Sequence, residues 1–158
     1  MEIQAPNPFS GIHDKFLVFI GGSIDMGTAP DWQREFARRY QDSKFVCILN
    51  PRRDDFDPMM EQSIDNPPFY EQVTWELDAL MNADVVVFVF DAVGKAPITL
   101  LELGLAAKSD VPVAVVCPPG YWRKGNVDIV CEHFGIDMFN TVEEVYAWID
   151  DIVGGLDS

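Results

Sequence analysis

Histidine is nearly missing from this chain, with only His13 and His133 among 158 residues. One lies in the amino-terminal stretch and the other in a polar segment, so a Ser-His or Cys-His nucleophile pair has little to draw on. Cysteine is scarce too: Cys47, Cys117 and Cys131 are odd in number and far apart, and the first two sit in apolar runs. That pattern excludes a zinc spacing and a disulfide framework, and predicts buried thiols. Positive charge is short, with 11 Lys and Arg against 26 Asp and Glu and a formal net charge of -15. A chain so acidic repels phosphate backbones and anionic membranes, so neither nucleic acid nor lipid is an expected partner, and small molecules or proteins take their place. Long apolar runs are absent as well. The longest, "VVVFVF" at 85 to 90, is far below the roughly 20 residues of a membrane span, and "MEIQAPNPFSGIHDK" carries no basic-then-apolar signal pattern. The cytoplasm is the expected compartment. If the chain is an enzyme, carboxylates are the acids and bases left to it.

What is present suffices for one core in a single domain: 48% of residues are hydrophobic. Residues 1 to 15, with Pro6, Pro8 and Gly11, are expected to form an irregular arm, and residues 16 to 158 the domain. From "KFLVFIGG" onward, strand-like runs alternate with helical ones: "APDWQREFARRYQDS", then "KFVCILN", the polar loop "PRRDDFDPMMEQSIDN", and "PPFYEQVTWELDALMNA" with proline at its opening. "DVVVFVFD" is the clearest strand, followed by the helix "KAPITLLELGLAAKS", the strand "VPVAVVCP", the loop "PGYWRKGN", a short helical "VDIVCEHFG", an extended "IDMF" and a last helix that opens on the capping box Thr141 to Glu144. Strands without polar alternation, separated by helices, mean a parallel sheet covered on both faces. The expected fold is α/β, a flavodoxin-like doubly wound sheet of about five strands.

In such sheets ligands bind beyond the carboxyl ends of the strands. After the first strand, "IGGSIDMG" offers Gly21, Gly22, Ser23 and Asp25, where glycines admit a ligand to the backbone; a plain strand-to-helix turn explains the same residues. After the second strand, Asn50, Arg52, Arg53 and Asp55 in "NPRRDDFDP" form either a polar wall over a pocket or a solvated turn. On the following helix, Phe69, Val73, Leu77 and Leu80 make an apolar stripe with Glu76 at its margin, and Gln72 one turn earlier. A carboxylate there is paired, functional or snorkelling. In "KAPITLLELGLAAKS" the helical wheel places Glu102 on the less buried face with Thr99, Ala106 and Ser109, but in the second turn of a helix that starts at the ligand edge. Gly104 is expected to allow close packing against a neighbouring backbone. A glutamate on each helix flanking the third strand suits glycosyl transfer, in which one carboxylate attacks an anomeric carbon and an acid assists the leaving group.

The segments "FIGGSIDMG", "ILNPRRDDFD", "FYEQVTWELDALMNADVVVFVF", "APITLLELGLA" and "GYWRKGNVDIVC" together resemble the nucleoside 2-deoxyribosyltransferase-like family, over about Phe16 to Cys131. The resemblance implies a flavodoxin-like fold and cleavage of the N-glycosidic bond of a 2'-deoxynucleoside, with transfer of the sugar to another nucleobase or to water, and with no metal or organic cofactor. It makes Glu102 the nucleophile and Glu76 a base-contacting acid, lines the sugar or phosphate pocket with Gly21, Gly22 and Ser23, and offers Asn126 as a residue that reaches a neighbouring subunit's site, hence a homo-oligomer of at least two copies. Two positions depart from the family pattern: Ala96 stands where an Asp precedes the nucleophile by six residues, and Phe19 where a Tyr lies in the first strand. Asp91, at the end of the third strand, is the candidate substitute acid. A deoxynucleotide N-hydrolase is the near alternative, with Arg52, Arg53, Arg123 and Lys124 as cations for a 5'-phosphate. A non-catalytic nucleotide-binding module is the alternative from another class.

Overall fold

The computed structural model of the chain describes residues 1–24 and 29–156. In chain order these form β1 (Glu2–Gln4), β2 (Phe16–Gly22), α1 (Trp32–Arg39), β3 (Val46–Asn50), α2 (Pro67–Asn82), β4 (Val85–Val89), α3 (Pro97–Lys108), β5 (Val113–Val116), α4 (Lys124–Phe134), β6 (Asp137–Phe139) and α5 (Val142–Leu156). The strands make one parallel sheet in the order β1-β3-β2-β4-β5-β6. From β3 onward this is the flavodoxin-like winding. The sheet has six strands because part of the expected irregular arm pairs with the free edge of β3: Glu2, Ile3 and Gln4 lie beside Ile48, Leu49 and Asn50. Three residues are too few to show a strand period in sequence, and the pairing is dictated by the open edge.

β3, β2, β4 and β5 are buried on both sides, which is why they read as unbroken apolar runs. On one face α2, α3 and α4 bring Trp75, Ala79, Leu103, Ala106, Val127 and Cys131 onto Phe19, Leu49, Phe88 and Val115. On the other, α1 and α5 bring Phe36, Tyr40, Val145 and Ile149 onto Val18, Ile20, Ile48 and Val87. Burying a side chain such as Phe19 or Phe36, both with no exposed surface, stabilises the fold by about 2 kcal/mol each. All three cysteines are buried and free. No helix among the described residues is long and apolar enough to cross a membrane.

Helix boundaries follow local chemistry. α2 and α3 each open with proline in the first turn, where its missing N–H loses nothing. At the start of α5, Glu144 N donates to Thr141 Oγ1 (3.2 Å) while Glu144 Oε2 accepts from Asn140 N (2.8 Å). α4 begins at Lys124, inside the expected loop "PGYWRKGN", so Asn126 sits in its first turn. α2 buries Trp75, Ala79 and Leu80 rather than the stripe Phe69–Val73–Leu77–Leu80, and Leu77 is exposed. The indole of Trp75, held by its Nε1 to the Asn7 carbonyl (2.7 Å), sets that rotation.

The chain runs from β2 to β3 on one side and then crosses to β4 on the other side of β2. Such a reversal opens a crevice at the carboxyl ends of the two central strands. Gly21 and Gly22 lie there, paired with Phe88 and Val89.

Candidate active site

The crevice is built around one carboxylate. Glu102 projects from the second turn of α3 and is only 7% exposed, which corrects the helical-wheel placement on the less buried face. The outward face instead carries Ile98, Leu101 and Leu105. Apolar residues surround α3 on all sides, so periodicity cannot say which face turns inward. Two glycines make room at the strand ends. A Cβ on Gly21 would fall 3.1 Å from Glu102 Oε2 and 2.9 Å from the Phe88 ring; one on Gly22 would fall 2.3 Å from the Val89 carbonyl and 2.6 Å from the Trp32 ring. Gly104, by contrast, is exposed and an added Cβ would meet nothing within 4 Å, so it packs closely against no backbone among the described residues.

Burial pushes the Glu102 carboxyl up to about 8, with the charge of Glu76 adding to the effect. Glu76, partly buried on α2, is itself pushed up by burial to about 7, opposed by the hydrogen bond it accepts from Gln72. Gln72 Nε2 donates both to Glu76 Oε1 (2.8 Å) and to the Pro51 carbonyl (2.9 Å). Its Oε1 is buried with no partner among the described residues. Burial raises both carboxyls and the charge of Glu76 raises Glu102 further, so the pair still holds a proton near neutral pH, with Glu76 the first of the two to ionise.

The remaining candidates divide into wall and scaffold. Ser23 ties the loop after β2 to the end of β4: its N donates to the Val89 carbonyl (3.1 Å) and its Oγ accepts from Asp91 N (2.9 Å). Asp91 Oδ1 accepts from Val93 N (3.0 Å), a turn-forming contact. Asn50, 2% exposed, joins Glu2 Oε1 (2.8 Å) to Arg52 N (3.0 Å). Arg52 reaches back to the chain entering α1, donating to the Ala29 and Pro30 carbonyls and to Gln33 Oε1 (2.9, 3.0 and 3.2 Å). Arg53 chelates the exposed Asp55 (2.8 and 2.9 Å). Asn126 is exposed on α4, whose N-cap is Arg123 without a side-chain cap bond. Asp25 lies outside the described residues. The crevice thus brings together Glu102, Glu76, Gln72, Gly21, Gly22, Ser23 and Asp91 around the ends of β2 and β4, whereas Asp55 and Asn126 are exposed and Arg53, half-buried, is held to Asp55.

Sequence reasoning missed four contributors, Phe88, Trp32, Tyr121 and Trp122. Phe88 and the Trp32 ring wall the two glycines, but both lie away from them along the chain and only the fold brings them there. Tyr121 and Trp122 both bond the Lys95 carbonyl, just before the start of α3. Ala96, where an acid was expected, is a buried left-handed residue (φ 42°, ψ 55°) that caps α3 with no side-chain bond. Among the described residues no group of three or more His, Cys, Asp or Glu is placed to hold a metal ion. A cavity of about 820 Å3 lies on the other flank of α2, between the arm and Trp75, and shares none of the crevice residues.

A family model described as nucleoside 2-deoxyribosyltransferase like matches residues 15–121, a span that contains every crevice residue. None of the curated proteins compared with the chain matches it.

Proposed function

The chain belongs to the nucleoside 2-deoxyribosyltransferase-like family, and from that premise we propose that it cleaves the N-glycosidic bond of a 2'-deoxynucleoside and passes the deoxyribosyl group to another nucleobase. The observation that carries the reading is the buried Glu102 carboxyl held against Gly21, with the second raised carboxyl of Glu76 beside it. The Glu102 carboxyl, the last of the pair to ionise, gives its proton to Glu76 and, as the carboxylate, attacks C1' while the bond from C1' to the base breaks. The electron pair of that bond goes to the base nitrogen, which takes the proton held by Glu76. A nitrogen of the incoming base then attacks C1', the ester bond to Glu102 breaks, and the incoming N–H proton returns to Glu76. A sugar without a 2'-hydroxyl tolerates the oxocarbenium character of both steps. Gln72, which fixes Glu76 and leaves its own Oε1 unpartnered among the described residues, is placed to accept from a base N–H.

The substrate is proposed to carry a 5'-hydroxyl. Each cation the sequence offered a phosphate is engaged: Arg52 and Arg53 as above, Lys124 with Asp128 (2.9 Å) and the Cys117 carbonyl, and Arg123 over the Trp122 ring (4.5 Å). A second copy of the chain is proposed to cover the outward apolar stripe of α3, Ile98, Leu101 and Leu105, which are 58%, 62% and 47% exposed. Sedimentation checks this: Leu101→Glu is expected to turn a dimer into a monomer, and a wild-type monomer would refute it.

Incubating the protein with a panel of deoxynucleosides and a free acceptor base, with chromatographic readout, tests the main reading. A new nucleoside is expected. Free deoxyribose whether or not acceptor is present would replace transfer by hydrolysis, and saturable binding without cleavage would leave only a nucleotide-binding module.

A further inference from the structure

Nothing in the apolar pattern of α3 selects the face that carries Glu102. Ile98, Leu101 and Leu105 point outward while Leu103, Ala106 and Ala107 point inward, so the helix is apolar all round. A rotation by one residue position is about 100° and would carry the carboxylate away from its place against Gly21. Something other than hydrophobicity must fix the rotation.

The start of the helix supplies it. Ala96 adopts the left-handed region, which disfavours any residue with a Cβ by about 1–2 kcal/mol, and it does so with φ 42° and ψ 55° at a buried position. Helical bonding begins there, Leu100 N donating to the Ala96 carbonyl (3.2 Å). Immediately before it, the Lys95 carbonyl accepts two side-chain hydrogen bonds, from Tyr121 Oη (2.6 Å) and from Trp122 Nε1 (2.9 Å). Both donors come from the segment between β5 and α4. That segment is anchored in turn: Tyr121 is 3% exposed with its ring 4.7 Å from that of Phe90, the residue that follows β4. A chain of contacts therefore runs from the central strand through Tyr121 to the Lys95 carbonyl, then through the strained Ala96 into α3.

We infer that Tyr121 and Trp122 are positioning residues: their paired hydrogen bonds to the Lys95 carbonyl hold the left-handed turn at Ala96 and so set the rotation of α3 that aims Glu102 into the crevice. Glu102 lies six residues beyond the turn, ~9 Å along the axis, and inherits any error in its angle. The inference rests on the proposed role of Glu102 for its catalytic consequence, but its structural content stands apart from that role.

Tyr121→Phe keeps the ring against Phe90 and removes only the hydroxyl; Trp122→Phe removes the indole N–H; the double variant removes both bonds. Two readouts are taken on each, with thermal unfolding to show that the variants fold. The first is the 13C NMR titration midpoint of the Glu102 carboxyl, which does not depend on turnover. A carboxylate released from its buried place should titrate lower, toward the ordinary glutamate range, in the double variant, and by less in either single one. The second is steady-state turnover of a deoxynucleoside with acceptor base, where kcat should fall about 10- to 100-fold while KM changes less than about threefold. A lowered midpoint in a protein whose wild type turns over no nucleoside would keep the positioning role and refute the transferase reading. An unchanged midpoint in the folded double variant would overturn the inference, whatever happens to kcat. Equal losses in all variants that track lowered thermal stability would also overturn it.

Discussion

Replacing Glu102 by glutamine should make the protein more stable, and increasingly so as pH rises. Burial and the neighbouring Glu76 raise the Glu102 carboxyl from 4.5 to about 8. Between those values the folded protein holds a proton that the unfolded chain has lost, so stability contributed by the protonated group is present below pH 4.5 and is lost as pH climbs toward 8. At about 1.4 kcal/mol per pKa unit, and allowing for relaxation around the charged group, the wild type should lose on the order of 3 kcal/mol between pH 5 and pH 8.5. Glutamine is nearly isosteric and does not titrate, so Glu102→Gln escapes that loss. For a domain of this size the difference amounts to roughly 6–12 °C in Tm at pH 8.5, shrinking to roughly 2 °C at pH 5. Thermal unfolding of both proteins across this range, with the variant as internal reference for the general effect of the acidic surface, measures it. Two curves that stay parallel from pH 5 to 8.5 would show that Glu102 does not carry a raised proton affinity, and the reading of the crevice as a strained, functional site would fail.

Other consequences are as direct. Gly21→Ala would set a methyl 3.1 Å from Glu102 Oε2 and 2.9 Å from Phe88; overpacking of about 1–3 kcal/mol and near-complete loss of turnover are expected, whereas exposed Gly104→Ala should leave turnover within about twofold while gaining up to about 1 kcal/mol of helix stability in the monomer. The pH profile of kcat/KM should be bell-shaped with apparent values that belong to the Glu76–Glu102 pair, near about 7 and about 8. In Glu76→Gln the rate should fall by about 10²–10⁴, and the limb for Glu102 ionisation should move to lower pH, because the charge that helped raise it is gone; a profile unchanged in shape would contradict the pairing. A deoxynucleoside should be a better substrate than its 5'-monophosphate by at least about tenfold in kcat/KM, since binding the phosphate means breaking cation pairs of about 1 kcal/mol each, and a preference for the monophosphate would refute the assignment of Arg52 and Arg53 to scaffolding.

Much of this architecture is legible in the chain itself. Unbroken apolar runs such as "VVVFVF" announce a doubly covered sheet, and prolines at Pro67 and Pro97 mark the starts of α2 and α3. Loops after the strands then point to Gly21, Gly22 and Ser23. What a linear pattern does not carry is the rotation of an element whose apolar residues lie all round it, and for that reason the helical wheel turns outward a Glu102 that the fold buries. In α2 the same reasoning failed because a single large side chain, Trp75, outweighed a stripe of smaller ones. Strand β1 was invisible because three residues acquire their pairing only from the free edge of β3. Arg52 looked like a ligand for a phosphate because its partners, Ala29, Pro30 and Gln33, lie about twenty residues earlier and are brought to it by the fold.

The central claim is a covalent bond between Glu102 and the sugar, and it can be measured on the protein itself. Wild type and Glu102→Gln are mixed with a deoxynucleoside that the wild type cleaves, quenched in acid within the turnover time, digested and read by mass spectrometry. One deoxyribosyl group on the wild-type peptide that contains Glu102, discharged on adding acceptor base and absent from Glu102→Gln, is the predicted result. Cleavage of the nucleoside by Glu102→Gln at the wild-type rate, with no adduct on either protein, would contradict it.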